Sequence, residues 1–143
     1  MRKTFLLVFT TLAITSFAQE ANEDGLTFVG LQRDFADTTL GYRKANIDGN
    51  TTDSKSLVIY LHGGSSCGTD NITQMKEPGI DSIANYLVSH QKSAVFVVPQ
   101  CPDRNKGWGG MAKNVKALLD FTAQTENVDI NMIYIFGGSM GGT

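Results

Sequence analysis

Met132-Ile133-Tyr134-Ile135-Phe136 runs without a break into Gly137-Gly138-Ser139-Met140-Gly141. Five apolar residues bounded by turn residues are what a strand covered on both faces requires, so the first half reads as a buried strand. The second half, with its Gly137-x-Ser139-x-Gly141 spacing, fits a sharp turn that lifts the Ser139 hydroxyl clear of a sheet. Such a turn crowds its neighbours, so the residues two before and two after the serine must be small. Gly138 and Gly142 give further room. A helix beginning after Ser139 would aim its first amides at negative charge developing beside that hydroxyl. These features make Ser139 the candidate nucleophile.

The same pattern recurs upstream. Leu57-Val58-Ile59-Tyr60-Leu61 is a continuous apolar run that ends at His62-Gly63-Gly64, and Ala94-Val95-Phe96-Val97-Val98 is another, stopped by Pro99. Between them Ile80, Ile83, Ala84, Leu87 and Val88 repeat at helical spacing, and Val115, Leu118, Leu119 and Thr122 mark a second helical face before Met132. Strand, helix, strand, helix, strand implies an α/β fold with a parallel sheet and right-handed crossovers. Residues 26–47 alternate apolar and polar about a turn-rich middle with Asp34, Asp37 and Gly41, and read as an antiparallel strand pair. Residues 48–55 are polar and read as a surface loop.

Composition narrows the chemistry. The net charge is −2 with mixed signs, which leaves no basic stripe for nucleic acid. Two Cys and two His, far apart, form no metal-ligand spacing, so no metal is expected. Gly137 and Gly142 have phosphate-loop spacing, but Thr143 stands where that loop needs Lys, and no G-x-G-x-x-G fingerprint can be laid on the segment. Nucleotide binding is therefore rejected, and no cofactor is expected.

The glycines after Leu61 have a reading of their own. Where a strand–turn–helix carries a serine nucleophile, one oxyanion donor is the backbone N–H after that serine. The other comes from the loop after an earlier strand. This assigns Met140 and Gly64, with Ser65 the near alternative to Gly64.

His62-Gly63-Gly64-Ser65-Ser66-Cys67-Gly68-Thr69-Asp70-Asn71 resembles the H-G-x-G-E-R-G-x-D-N loop of secreted bacterial esterases and predicted peptidases. These are α/β-hydrolases related to the phospholipase/carboxylesterase and polyhydroxybutyrate-depolymerase-like groups. Pro99-Gln100-Cys101-Pro102 with Trp108 resembles their P-Q-C-P and following Trp. Asp129-Ile130-Asn131-Met132-Ile133-Tyr134 resembles D-x-x-R-I-Y, and Leu40-Gly41-Tyr42-Arg43 resembles an early Y-R strand. The match runs over about residues 38–143, and several motifs in order weigh far more than one. There are departures: Ser65, Ser66 and Cys67 replace Gly-Glu-Arg, so a charge pair present in relatives is missing. Gly138 stands for a larger apolar residue, and Met132 for Arg.

The resemblance implies an α/β-hydrolase fold, a mostly parallel sheet with helices on both faces. It also implies a serine hydrolase acting on a small ester, or on a peptide, through an acyl-enzyme. A serine peptidase of the prolyl-oligopeptidase type and a non-catalytic binding protein on the same fold are the alternatives. In this fold the acid and the His follow the serine. His62 precedes Ser139 and in this family shapes the oxyanion loop, while His90 is expected near a helix C-terminus. The triad Asp and His are thus expected beyond Thr143, which makes the chain an N-terminal fragment, inactive and poorly soluble alone. Trp108 is read either as a pocket wall or as a loop anchor, Asp70 as the cap of a turn, and Met75 and Met111 as packing residues. Cys67 and Cys101 follow strands expected to be neighbours, which leaves open a disulfide or two separate thiols.

The start of the chain has the form of a secretory signal. Arg2 and Lys3 precede the apolar run Phe5–Phe17, and Ser16 and Ala18 suit cleavage before Gln19. Residues 1–18 are thus expected to be removed, which leaves 19–143 as part of one secreted or periplasmic hydrolase domain with no membrane span.

Overall fold

The computed structural model describes residues 17–21, 26–50 and 52–143. The expected signal segment, residues 1–18, lies outside these except for its last two residues, which open the first strand.

The chain forms a six-stranded sheet: β1 (Phe17–Ala21), β2 (Thr27–Phe35), β3 (Thr38–Ile47), β4 (Ser56–Leu61), β5 (Ala94–Pro99) and β6 (Ile133–Gly137). Its order is β1-β2-β3-β5-β4-β6. β5, β4 and β6 run parallel, whereas β1/β2, β2/β3 and β3/β5 are antiparallel. The expected mostly parallel sheet is therefore a mixed one among the described residues. The reason is that β3 docks antiparallel on β5 and brings its hairpin partner with it. Cleavage before Gln19 would divide β1 but keep the Glu20 and Ala21 pairings with β2.

The helices are α1 (Pro78–Ser89), α2 (Gly107–Gly110) and α3 (Ala112–Thr125). Successive side chains of a strand point to opposite faces, and here the two faces bury different helices. Leu57, Ile59, Leu61, Val95 and Val97 pack with Val115 and Leu118 of α3. Val58, Tyr60, Phe96 and Val98 pack with Ile80, Ala84 and Leu87 of α1. Helices thus cover both faces, and β4 and β5 are buried along their whole length, as their unbroken apolar runs require.

The β2–β3 hairpin turns at Ala36-Asp37, where Ala36 takes φ 55°. The turn is pinned to α3: Asn114 Nδ2 donates to Phe35 O at 2.6 Å and to Asp37 Oδ1 at 3.1 Å, and Lys113 pairs with Asp37. Gly41, expected near a turn, instead lies within β3, where a Cβ would come within 3.2 Å of the Asn71 side chain.

β6 departs from its reading as a buried strand. Among the described residues it pairs only with β4, and Tyr134, Ile135 and Phe136 are 47%, 56% and 45% exposed. Its apolar run belongs to a position within a sheet, yet here it forms the edge. No described helix is long and apolar enough to cross a membrane.

Candidate active site

β4 and β6 are adjacent and parallel, and their last paired residues are Leu61 and Gly137. Both strands therefore end at one level, and the segments after them leave the sheet side by side at its C-terminal edge, the usual place for ligands in α/β sheets. Gly138 N donates to Leu61 O at 3.1 Å, and Gly141 N to Gly138 O at 2.9 Å, closing the 3-10 turn Ser139–Gly142. Ser139 has φ 52°. A left-handed serine with no glycine's freedom costs on the order of 1–3 kcal/mol and persists only where its surroundings fix it. They do so by contact. A Cβ on Gly137 would lie 2.0 Å from Gly141 O, and one on Gly141 would lie 1.9 Å from Leu61 O. Ser139 is exposed.

The turn Gly64–Ser66 after β4 abuts this elbow. A Cβ on Gly63 would stand 3.6 Å from Ser139 Cβ, and one on Gly64 would stand 3.7 Å from Met140 Sδ. In a 3-10 turn the first amides have no acceptor within the turn. Gly64 and Met140 both occupy such positions, and neither N–H donates to another backbone group among the described residues. The expected donor residues and Ser139 are thus brought to one place.

His62 is fully buried with both ring nitrogens engaged. Cys101 N donates to Nε2 at 2.9 Å, so the proton of the neutral ring sits on Nδ1 and is donated to Gly63 O at 2.7 Å. Burial holds its pKa below the ordinary imidazole value, against the opposing effects of the Gly63 carbonyl and the Glu77 carboxylate. His62 therefore shapes the loop before Gly64 and has no free nitrogen for Ser139. His90 is the C-cap of α1, where its Nδ1 lies 2.9 Å from Tyr86 O and its ring stacks on Tyr86.

A pH dependence of stability follows. The unfolded imidazole binds a proton near pH 6.5, and the folded one only at lower pH. Stability is thus fully present above about pH 6.5 and is lost as pH falls through that value toward the folded pKa. Asp37, held low mainly by Lys113, and Asp70, held low mainly by the Thr73 hydroxyl, add their own loss only below the ordinary carboxylate range. Urea unfolding at pH 7.5 and pH 5 is expected to give the lower free energy at pH 5, and His62→Gln should flatten that difference.

The loop has supports that its own sequence does not announce. Glu77 Oε1, at the start of α1, accepts from Gly63 N at 3.2 Å and Ser66 Oγ at 2.7 Å. A carboxylate from another element thus holds the loop where the Glu-Arg pair of the resembled family is missing. Gln100 bonds Asn71 N at 2.6 Å, Asp70 Oδ1 at 2.8 Å and Ser66 O at 3.2 Å. Asp70 caps the next turn as expected, accepting from Ile72 N and Thr73 N. Trp108 is an anchor: it is buried, donates from Nε1 to His62 O at 2.9 Å, and meets the His62 ring edge-on at 5.0 Å. Met111 is buried in the core, and Met75 packs against the other face.

Cys67 and Cys101 are neighbours and both are free thiols. Gly68 N donates to Cys101 O at 3.0 Å, and Cys101 Sγ to Asp103 O at 3.4 Å. Burial, with Cys67 alongside, pushes the Cys101 thiol up to about 11. Since the thiolate is the reactive form, iodoacetamide at pH 8 is expected to modify half-buried Cys67 first and Cys101 only after unfolding. Two modified thiols in unfolded, unreduced protein check this; none would mean a disulfide.

Among the described residues no three His, Cys, Asp or Glu side chains stand together in a way that could hold a metal ion. A groove of about 880 Å³ between α1 and β6, lined by Val58, Ile83, Tyr86, Leu87, Tyr134 and Phe136 among others, does not include Ser139. It marks the open flank of β6 and not the serine turn.

No protein-family model matches the chain, and no curated protein matches it. Among solved structures it is similar to the crystal structure of a thermostable esterase, with a TM-score of 0.56 and 26% identity. The likeness covers 90% of this chain and 35% of that one, so this chain spans about a third of the esterase's length. The mixed sheet flanked by helices and this likeness together fit an α/β-hydrolase-like fold.

Proposed function

We propose that this chain carries the nucleophile and the oxyanion hole of a serine hydrolase that cleaves carboxylic esters through an acyl-enzyme. The observation that carries the reading is the backbone of Ser139, held at φ 52° in a turn where neither Gly137 nor Gly141 has room for a Cβ. Strain of this kind, over-determined by its surroundings, clusters at active sites and ligand clamps. In this reading Ser139 Oγ attacks the ester carbonyl, and the Gly64 and Met140 amides receive the oxyanion, with Ser65 next in line for Gly64. The alkoxide leaves with a proton, and water then releases the acid. The hydrogen bonds of both His62 ring nitrogens speak against His62 as the base. The base and its acid partner are therefore proposed to come from outside residues 1–143, and residues 19–143 alone to be inactive. The likeness to an esterase supports an ester as substrate. The signal-like start supports export.

The test is turnover of p-nitrophenyl acetate by the full-length protein before and after treatment with a fluorophosphonate. Stoichiometric inactivation is expected; turnover that survives full labelling would reject the reading.

A further inference from the structure

The segment that leaves β5 crosses above the turn that leaves β4, and His62 holds it at both ends. Cys101 N bonds the His62 ring at 2.9 Å, and the Trp108 indole bonds the His62 carbonyl at 2.9 Å. Between these anchors the backbone is folded on Asp103, whose carboxylate accepts from Asn105 N at 2.9 Å and whose carbonyl accepts from Gly107 N at 3.1 Å. Gly107 closes the loop at φ 57°, with Met140 Sδ 3.5 Å from where its Cβ would be. The loop is thus set in place by backbone and core contacts, and Arg104 sits at its crest.

The Arg104 side chain reaches back over the glycine turn. Its Nε lies 3.2 Å, and its Cζ 3.7 Å, from the position a Cβ on Gly64 would take, with Met140 Sδ on the same side at 3.7 Å. The guanidinium therefore stands beside Gly64, one of the two residues assigned as oxyanion donors, and the Met140 side chain approaches the same position. It is exposed and in no ion pair among the described residues. Of the nearby carboxylates, Asp103 accepts from Asn105 N, and Glu77 accepts from Gly63 N and Ser66 Oγ through Oε1 while its Oε2 lies 3.8 Å from where a Cβ on Gly138 would be. A guanidinium offers five donors in a planar fork that matches a carboxylate. Here that fork is exposed and lies against the Gly64 turn.

We propose that Arg104 selects substrates that carry a carboxylate close to the scissile carbonyl. The inference rests on the reading of Ser139, Gly64 and Met140 as the reacting centre and adds a substrate class to it. The oxyanion receives two neutral amides, and Arg104 receives the permanent charge of the substrate.

The test compares monomethyl succinate with methyl butyrate, which have the same chain and differ in one carboxylate, by pH-stat at low ionic strength with the full-length protein. The ratio of kcat/KM between the anionic and the neutral ester is expected to fall about 10- to 100-fold in Arg104→Gln, the range for a hydrogen-bonded charge partner. Arg104→Lys should lie between, since it keeps the charge and loses the fork. A loss shared equally by both esters would make Arg104 an oxyanion or folding residue and overturn the proposal, as would an unchanged ratio. Fluorophosphonate labelling of the same preparations separates the two readings. Labelling at Ser139 with an unchanged ratio removes only the assignment of Arg104. Absence of labelling in the unsubstituted protein removes the reacting centre, and the proposal with it.

Discussion

Replacing Ser139 with Ala is expected to lower ester turnover by about 10⁶-fold, the loss seen when a serine nucleophile that works as a unit with its base is removed. The fold should survive. Ser139 is exposed, so no buried partner is orphaned. Alanine keeps the strained φ, so Tm is expected to move by little. Any residual rate above that in water would come from the Gly64 and Met140 amides, which still polarise a bound carbonyl. The measurement is p-nitrophenyl acetate hydrolysis by matched preparations of the full-length protein, with circular dichroism to check the fold. Turnover within tenfold of the parent would place the nucleophile elsewhere.

The second large effect is expected from a single methyl group. In Gly141→Ala the new Cβ would sit 1.9 Å from Leu61 O and 2.6 Å from Leu61 C. These are backbone atoms of β4, a strand paired on both sides and buried throughout. It cannot yield, so the turn must. Overpacking of this kind costs about 1–3 kcal/mol and at times more. A displacement of the nucleophile by ~1 Å costs about 10²-fold in rate. The expected result is a lowered Tm together with at least a ~100-fold slower fluorophosphonate reaction. Gly109→Ala is the control: nothing lies within 4 Å of its Cβ position, so neither quantity should change much. Labelling of Gly141→Ala at the parent rate would mean that the close fit around Ser139 has no bearing on its reactivity.

The parts of this fold legible in the sequence are those decided by local pattern. The unbroken apolar runs of β4 and β5 announced strands buried on both faces, and the spacing of Ile80, Ala84 and Leu87 announced the inner face of α1, whereas Ile83 is partly buried there and Val88, read on the same face, is 39% exposed. β6 shows the limit of that signal. An apolar run reports what a strand can bury, while exposure depends on neighbours; with one partner strand, Tyr134 and Phe136 stay open. The antiparallel docking of β3 on β5 joins segments far apart in sequence and leaves no periodic trace. α2, with three glycines in four residues, has no helical pattern to read. β1 is hidden because its first two residues, Phe17 and Ala18, also fit the end of a signal segment.

The site divides in the same way. Ser139, Gly64 and Met140 could be picked out because each follows the end of an apolar run. Their proximity then follows from β4 and β6 being parallel neighbours. Glu77, Gln100 and Arg104 act on the same loop from other elements, and only the pairing of β4 with β5 and the placement of α1 bring them to it. Chain order and the family resemblance both speak against His62 as the base, and its hydrogen bonds supply a physical reason. The neighbouring cysteines were foreseeable from the expected adjacency of β4 and β5, but Cys101's raised thiol depends on burial that only packing creates.

The role of Ser139 is tested most directly by treating the full-length protein with a fluorophosphonate and locating the adduct by peptide mass spectrometry. The expected result is one adduct per chain, on Ser139 Oγ, with fluoride released and ester turnover lost in step. An adduct on any other serine accompanied by the same loss of turnover would contradict the assignment.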